Sequence, residues 1–297
     1  MFRPFVTPSS MRPQRGERSM ALGEAKHTGS DDLVNTEWLE NHLTDPAVRV
    51  LEVDVSEAAH REGHIPGAVL WNVYKDLKDP QYKPVGREAI ERLFQASGIT
   101  RESVVVFYGY APAMGYWLMK LFGHREARVL DSNRATWCRE GRPWTTDASK
   151  PAQTRYRLPG DEEPIRAPQQ AVHRAIGASG STLLDVRSEA EYRGERFWPS
   201  GGMEEGGRAG HIPSAVHVPM DGLQDENGAF RPIADLRRHF SRIDLDDEQE
   251  IIPYCTIGGR ACTAWFALSR LLGHERTRVY DGSWAEWGRM PSSPIEP

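Results

Sequence analysis

The sequence predicts an α/β protein built from two copies of one unit, each a parallel sheet flanked by helices. Two observations carry this prediction: segments of the first half recur in order in the second, and short β-branched runs alternate with stretches of helical periodicity. Such alternation with short connections is typical of parallel sheets covered on both faces. The 297 residues are also enough for two domains of ordinary size.

Three pairs of segments show the internal repeat. They keep the same order along the chain and share most of their characteristic residues: 50–58 with 183–190, 62–69 with 209–216, and 121–137 with 271–287. The last pair reads LFGHREARVLDSNRATW and LLGHERTRVYDGSWAEW. Matches in order over most of a domain indicate a duplicated domain. The second copy also carries an insertion, RFWPSGGMEEGGR, before its GHIP element.

The repeat sets the expected domain boundaries. We expect a disordered tail over 1–30, a first unit over 31–145, a linker over 146–164 and a second unit over 165–297. The linker is polar, charged and proline-bearing, a composition that cannot pack a core by itself. The first 30 residues hold scattered prolines and no apolar run of the kind that a secretory signal needs.

The second copy gives the clearest pattern of elements. In chain order it predicts a strand, a short helix, a strand, a helix, a strand, a helix closed by Gly273 and a last strand, at STLLDV, SEAEYRG, AVHVP, PIADLRRHFSRI, QEIIPYC, RACTAWFALSRLLG and TRVYD. Leu236, Phe240 and Ile243 recur at helical spacing, whereas the strand segments are rich in β-branched and apolar residues. Pro253 cannot donate to a ladder, so we expect it at the very end of its strand.

Composition excludes several functions. A net charge of −5 gives no basic patch to suggest nucleic acid, and no apolar run approaches the ~18 residues that a membrane-spanning helix requires. The three cysteines are too few for a disulfide scaffold, and their number is odd. We therefore expect a cytoplasmic protein with a free, reactive thiol.

The segment CTIGGR, from Cys255 to Arg260, carries the candidate chemistry. It lies between a predicted strand and a predicted helix, at the sheet edge where open α/β sheets place their active sites. Its paired glycines permit a tight turn whose N–H groups form an anion nest, and the helix N-terminus adds positive potential. We expect Cys255 to act there as a thiolate nucleophile beside the fixed cation of Arg260. The residues expected to bind substrate and persulfide are Thr256, Ile257, Gly258, Gly259 and Arg260.

The alternative interpretation is a buried structural cysteine in an ordinary turn. The first copy argues against it, because its corresponding segment, FYGYAPAMGYW over 107–117, has neither the cysteine nor the arginine and is about four residues shorter. A loop that folding required should recur in both copies. One intact and one degenerate loop indicate a single active site in a duplicated scaffold.

These motifs resemble those of the tandem-rhodanese-domain sulfurtransferases, the thiosulfate and 3-mercaptopyruvate sulfurtransferase family. The resemblance rests on the two GHIP elements, DVRSEAEYRG, CTIGGRA and YDGSWAEWG, and covers about residues 31–290. It implies two rhodanese-like domains, the first inactive and the second catalytic. It further implies that Cys255 takes sulfur from a small-molecule donor as a persulfide and passes it to cyanide, a thiol or an acceptor protein, with no metal or organic cofactor.

The sulfur donor and two rival activities stay open. Arg260 resembles the C-x-x-G-x-R form of thiosulfate-type loops, whereas Glu191 stands where mercaptopyruvate enzymes place an arginine, so we favour thiosulfate over 3-mercaptopyruvate. A sulfur-relay protein that hands persulfide sulfur to a partner is compatible with the same loop. A cysteine phosphatase is a remote alternative, because four residues separate Cys255 from Arg260, one fewer than in the C-x5-R loops that enclose a phosphate.

Five further residues are candidates for supporting roles. Asp185 and Arg187 would either orient the loop through a charge-assisted hydrogen bond or form a structural ion pair. Arg208 precedes the second GHIP element and is a candidate for the pocket mouth. Asp281 and Ser283 follow a predicted strand at the same sheet edge, so we expect them to wall the pocket.

Overall fold

The computed structural model describes residues 31–297, so the tail expected over 1–30 lies outside the described residues. The elements of the first half follow in chain order: β1 (Leu33–Val34), α1 (Thr36–Asn41), β2 (Val48–Asp54), α2 (Glu57–Glu62), β3 (Val69–Asn72), α3 (Val73–Asp76), α4 (Arg87–Ala96), β4 (Val104–Gly109), α5 (Pro112–Leu121), β5 (Ala127–Leu130) and α6 (Arg134–Arg139). The strands form a wholly parallel sheet in the order β1-β5-β4-β2-β3.

The second half repeats this alternation. Its elements are α7 (Gln169–Ala175), β6 (Ser181–Asp185), α8 (Glu189–Tyr192), β7 (Val216–His217), α9 (Ile233–His239), β8 (Glu250–Tyr254), α10 (Gly259–Trp265) and α11 (Ser283–Trp287). Its strands pair in parallel in the order β7-β6-β8. The protein is therefore an α/β protein with two parallel sheets flanked by helices, as the sequence predicts.

The strand predicted at TRVYD is present as a hydrogen-bonded extension of the second sheet rather than as a regular strand. The N–H of Arg278 donates to the carbonyl of Ile251 on β8, and Val279 exchanges hydrogen bonds with residues 165 and 167 on its other side. Isolated parallel bridges join Thr277 to Ile251 and Val279 to Arg166. The segments over 165–167 and 277–279 thus stand beside β8 as β1 and β5 stand beside β4.

The helix that follows the candidate loop is longer and less regular than its counterpart in the first half. After the seven residues of α10 it continues as a π-helical segment of six residues, Phe266–Leu271, whereas α5 has ten residues in all. Three of the four extra residues in the second copy therefore lie in the helix, and one lies in the loop before it. The candidate loop of the second half and the corresponding loop of the first half therefore differ by one residue, not by the four that the sequence comparison predicts.

The two halves share one hydrophobic core. Helices α5 and α10 pack together, and the ring of Tyr116 contacts that of Phe266 with their centres 4.9 Å apart. Trp117 and Trp265, one from each half, are both fully buried in the same cluster. The loops after β4 and β8 also lie close together, because a Cβ at Gly259 would be 3.1 Å from the Cβ of Ala111.

The segment predicted as a linker lies along the first half. Tyr156 is buried against Phe94, and the N–H of Thr154 donates to the carbonyl of Gln95. Pro253 lies one residue before the end of β8, close to the position expected from its missing N–H. In residues 31–297, no helix combines the length and the apolarity needed to cross a membrane.

Candidate active site

Cys255 directly follows β8 and is held by backbone hydrogen bonds from the opposite loop. Its N–H donates to the hydroxyl of Ser283 at 3.1 Å, and its carbonyl accepts from the N–H of Trp284 at 2.9 Å. Ser283 adopts a left-handed backbone with φ of 54°, which is uncommon outside glycine and costs energy. That conformation turns the Ser283 hydroxyl toward the start of the candidate loop. The segment after the last sheet extension thereby fixes the position of the thiol.

The turn at Gly258 places an N–H group on the sulfur. Gly258 has φ of 98°, and its N–H donates to Sγ of Cys255 at 3.1 Å. A Cβ at this position would lie 2.8 Å from the carbonyl oxygen of Asp281, so only glycine fits the turn without displacement. A hydrogen bond from N–H to sulfur favours the charged form of a thiol.

Arg260 and the loop hydroxyl converge on a buried carboxylate. Two guanidinium nitrogens of Arg260 donate to the two oxygens of Glu191 at 2.8 and 2.7 Å. The hydroxyl of Thr256 donates to the same carboxylate at 2.6 Å and accepts from Arg260 at 2.6 Å. Fork-to-fork pairs of this kind are strong and directional. Glu191 therefore ties both ends of the loop to α8.

The surroundings of Glu191 keep it ionised. Burial acts to raise the pKa of this carboxyl, but the hydrogen bonds and charge of Arg260, with hydrogen bonds from Thr256 and Ser188, outweigh it and lower the pKa to about 2. Burial acts to lower the pKa of Arg260, but the hydrogen bonds that Arg260 donates to Glu191 and the negative groups nearby raise that pKa above the ordinary arginine value. The cation of Arg260 is thus largely compensated within the protein.

The loop lines a cavity of about 290 Å³ between the two halves. Cys255, Thr256, Ile257, Gly259 and Arg260 form its floor. The remaining lining residues come from the first half and from the insertion of the second: Val55, Tyr74, Tyr82, Tyr110, Trp198, Pro199 and Ser200. The volume is at the lower end of the range of small-molecule pockets, roughly 300–1,000 Å³.

Comparisons with known proteins give the family. The rhodanese-like domain model matches residues 168–290. The chain is 37% identical over 273 residues to a Mycolicibacterium smegmatis protein provisionally named a thiosulfate sulfurtransferase, covering 90% of this chain and 98% of that protein. It is also 37% identical over 272 residues to the sulfur carrier protein TtuD of Thermus thermophilus, covering 89% of this chain and 95% of TtuD. The chain belongs to the rhodanese family.

A solved structure shares the fold over the same extent. The anaerobic ergothioneine biosynthesis enzyme of Chlorobium limicola, crystallised with trimethyl histidine, superposes with a TM-score of 0.77 at 23% identity, covering 90% of this chain and 70% of that chain. At this identity the likeness supports the rhodanese fold of both halves.

The degenerate loop of the first rhodanese-like half can be placed by its hydrogen bonds. The isoleucine N–H of each GHIP element donates to a tyrosine hydroxyl at 3.1 Å, Ile65 to Tyr108 and Ile212 to Tyr254. The residue after that tyrosine is Gly109 in the first half and Cys255 in the second. Gly109 has φ of 109°, and a Cβ there would lie 2.8 Å from the carbonyl oxygen of Val53. Glycine in the first half thus stands where the second half has its thiol.

Asp185, Arg187 and Arg208, predicted as supporting residues, lie away from the cavity lining. Asp185 and Arg187 form a fully buried ion pair at 2.7 Å, with the guanidinium of Arg187 also donating to the carbonyl of Gly210 and stacking on Trp284. Of the two alternatives, a pair that orients the loop or a structural ion pair, this geometry matches the structural ion pair. Arg208 donates to the carbonyl of Ser293 at 2.9 Å and so fastens the C-terminal segment.

Asp281 and Ser283 were expected to wall the pocket, but neither lines the cavity; both contact the loop from its other side. The carboxylate of Asp281 pairs with Arg166 at 3.0 Å, while its carbonyl accepts a 2.6 Å hydrogen bond from Lys78. Lys78 comes from the first half and is buried. Burial lowers the pKa of its ammonium group, although Asp281, Cys262 and Cys255 act to raise that pKa. Within residues 31–297, no cluster of three or more His, Cys, Asp or Glu side chains is arranged to hold a metal ion.

Several site residues were missed at the level of sequence. Glu191 had a readable signal, because Ser188 and Glu191 form an S-x-x-E capping box at the start of α8. That motif places Glu191 just beyond the end of β6, on the active-site side of the sheet. Lys78 and the aromatic residues of the cavity lining had no such signal, since they come from the first half and from the insertion of the second half.

Proposed function

We propose that this rhodanese-family chain is a thiosulfate sulfurtransferase that works through a persulfide on Cys255. The observation that carries the proposal is the thiol itself, which opens onto the cavity while accepting a hydrogen bond from the N–H of Gly258 at 3.1 Å. The thiolate attacks the outer sulfur of thiosulfate, the sulfur–sulfur bond breaks, and sulfite leaves with the bonding electrons. A nucleophilic acceptor, cyanide or a thiol, then removes the sulfur in a second half-reaction.

Thiosulfate is favoured over 3-mercaptopyruvate by the pairing of Arg260. A mercaptopyruvate donor carries a carboxylate, and Glu191 already holds the guanidinium that would bind it. Thiosulfate carries no carboxylate, so its binding does not require that guanidinium. The names of the relatives from Mycolicibacterium smegmatis and Saccharopolyspora erythraea also point to thiosulfate.

A sulfur relay is the second candidate function, in which the acceptor is a protein. It is favoured by one specific comparison, the 37% identity to the sulfur carrier protein TtuD over nearly its whole length. The chemistry at Cys255 is the same in both functions. All three cysteines of the chain are free, which agrees with our proposal of a reducing, cytoplasmic location.

Intact mass measurement tests the proposal. We expect the wild-type mass to rise by one sulfur atom after incubation with thiosulfate, and cyanide to reverse the gain. Cys255→Ser should show no gain, whereas Cys262→Ser should retain it, because burial raises the pKa of the Cys262 thiol well above its ordinary value and keeps it protonated. A larger gain with mercaptopyruvate than with thiosulfate would reverse the choice of donor, and a gain in Cys255→Ser would refute the mechanism.

A further inference from the structure

The cavity above Cys255 has an aromatic wall made of Tyr74, Tyr82, Tyr110 and Trp198. Among residues 31–297, the large hydrophobic side chains that are exposed are Tyr74 at 40%, Tyr110 at 52% and Met203 at 56%. Two of these three therefore lie in the same cavity, beside the reactive thiol. Exposed aromatic surface concentrated in one concave place indicates a binding surface.

The aromatic wall is held in place by specific contacts. The ring of Tyr82 lies 5.2 Å from that of Trp198 and 5.9 Å from that of Tyr74, centre to centre. Arg289 covers Tyr82 with its guanidinium 4.2 Å from the ring centre, and it also pairs with Glu204. These contacts join the insertion of the second half to the first half across the cavity mouth.

The backbone of Tyr82 is strained in order to present its ring. It has φ of 62°, a left-handed conformation that is energetically unfavourable for a bulky side chain. The other strained residue of the site, Ser283, positions the thiol through a hydrogen bond to the Cys255 N–H. Strain that persists at such positions is typical of functional sites.

The charges around the cavity define what the aromatic wall can bind. Arg260 carries the one fixed charge among the lining side chains, and both of its terminal nitrogens are engaged by Glu191. The other polar side-chain groups of the lining are hydroxyls, the thiol and the indole N–H of Trp198, which donates to Glu204. The lining therefore offers no unpaired cation that could bind the carboxylate of an organic molecule. An aromatic or apolar group, in contrast, could pack against the rings.

We propose that the aromatic wall binds the body of the sulfur acceptor, and that this acceptor is an organic thiol with an aromatic or apolar body and no carboxylate. This inference rests on the proposed function. The acceptor thiolate attacks the outer sulfur of the Cys255 persulfide, and the sulfur–sulfur bond of the persulfide breaks. The electron pair of that bond goes to Sγ of Cys255, which leaves as thiolate, and the acceptor leaves as a hydropersulfide. No oxidant or reductant is needed.

Steady-state kinetics with thiosulfate as donor test the inference. The acceptors are benzyl mercaptan, 4-(mercaptomethyl)benzoate, which adds a carboxylate to the same ring, and 2-mercaptoethanol, which lacks the ring. We expect the lowest acceptor KM for benzyl mercaptan. Tyr110→Ala should raise that KM about 3- to 10-fold through the loss of one ring contact, and Tyr110→Phe should leave it close to the wild-type value.

Cyanide and Met203 supply the controls. Cyanide is too small to use the aromatic wall, so wild-type turnover with cyanide reports sulfur transfer without that wall. Met203→Ala should change turnover with neither cyanide nor benzyl mercaptan, because Met203 is exposed outside the cavity lining. Equal KM values for the three thiols, or an unchanged benzyl mercaptan KM in Tyr110→Ala, would overturn the inference. Turnover of cyanide but of none of the three thiols by the wild-type protein would also overturn the inference. Absence of any turnover with cyanide in the wild-type protein would instead count against the proposed function.

Discussion

At the scale of single residues, Glu191 is the side chain on which the candidate loop depends. Its side chain is fully buried, and it receives hydrogen bonds from Arg260, Thr256 and Ser188. A carboxyl whose pKa falls from 4.5 to about 2 on folding stabilises the folded state above pH 4.5. That stabilisation is lost as the pH falls from 4.5 toward 2.

The pH dependence of unfolding tests this role. Glu191→Gln should lower the free energy of unfolding by about 3 kcal/mol near neutral pH, the magnitude that the pKa shift implies. The difference from wild type should shrink as the pH falls below 4.5, because the carboxyl is then protonated in the unfolded wild-type chain while it stays ionised in the folded protein until the pH nears 2. Urea denaturation at several pH values measures both quantities. The exposed Glu195 provides the matched variant, Glu195→Gln, and a difference from wild type that stays constant with pH would contradict the assignment.

At the scale of elements, the turn between β8 and α10 is specified by one backbone conformation. Gly258→Ala would place a Cβ 2.8 Å from the carbonyl oxygen of Asp281 on a backbone with φ of 98°. We expect the free energy of unfolding to fall by at least about 1 kcal/mol, and sulfur transfer to fall by more than tenfold as the N–H moves off the sulfur. Thermal unfolding and cyanide turnover measure the two effects.

Gly177 is a suitable control for the same substitution. It also has a positive φ, 68°, but a Cβ there would meet nothing within 4 Å, and it lies outside the cavity lining. Gly177→Ala should therefore cost stability through its backbone conformation and leave the specific activity of the folded protein unchanged. If Gly258→Ala lost no more activity than Gly177→Ala, the turn would have no particular role in positioning the N–H group.

The elements near the site differ in how far sequence could specify them. The strand, loop and helix around Cys255 were predictable because β-branched residues, paired glycines and helical spacing are local signals. The last strand was predicted as regular, but its partners are a β8 edge and the distant segment 165–167, which supply only isolated bridges. The contacts of Glu191 with Arg260, and the convergence of Tyr74 and Tyr110 on Cys255, depend on tertiary packing that no local pattern encodes.

At the scale of the whole molecule, the first half contributes the buried side chain of Lys78 to the second half. Lys78 donates to the carbonyl of Asp281 at 2.6 Å, the same oxygen that limits the space at Gly258, and its charge acts on the thiol of Cys255. Because Arg260 is paired with Glu191, we propose that Lys78 is the positive group through which the first half acts on Cys255. Lys78 is thus a candidate positioning residue contributed by the first half.

Lys78→Met separates this electrostatic role from a purely structural one. Methionine fills similar space without charge, so we expect the pH midpoint for alkylation of Cys255 by iodoacetamide to move upward, since loss of a nearby cation disfavours the thiolate. The exposed Lys83 provides the control, and Lys83→Met should leave the midpoint unchanged. Lys78→Arg, which keeps the charge, should restore part of the wild-type profile. An unaltered midpoint in Lys78→Met would remove Lys78 from this role.

The glycine after Tyr108 has an evolutionary consequence. A cysteine could not be restored there by a single substitution, because its Cβ would meet the carbonyl oxygen of Val53 at 2.8 Å on a backbone with φ of 109°. The corresponding loop of the first half also contributes Tyr110 to the lining of the cavity. A thiol in the first half would therefore require the loop backbone to change together with the side chain. Substitutions in the cavity walls around Cys255 require no such backbone change, so they are the simpler route to a new specificity.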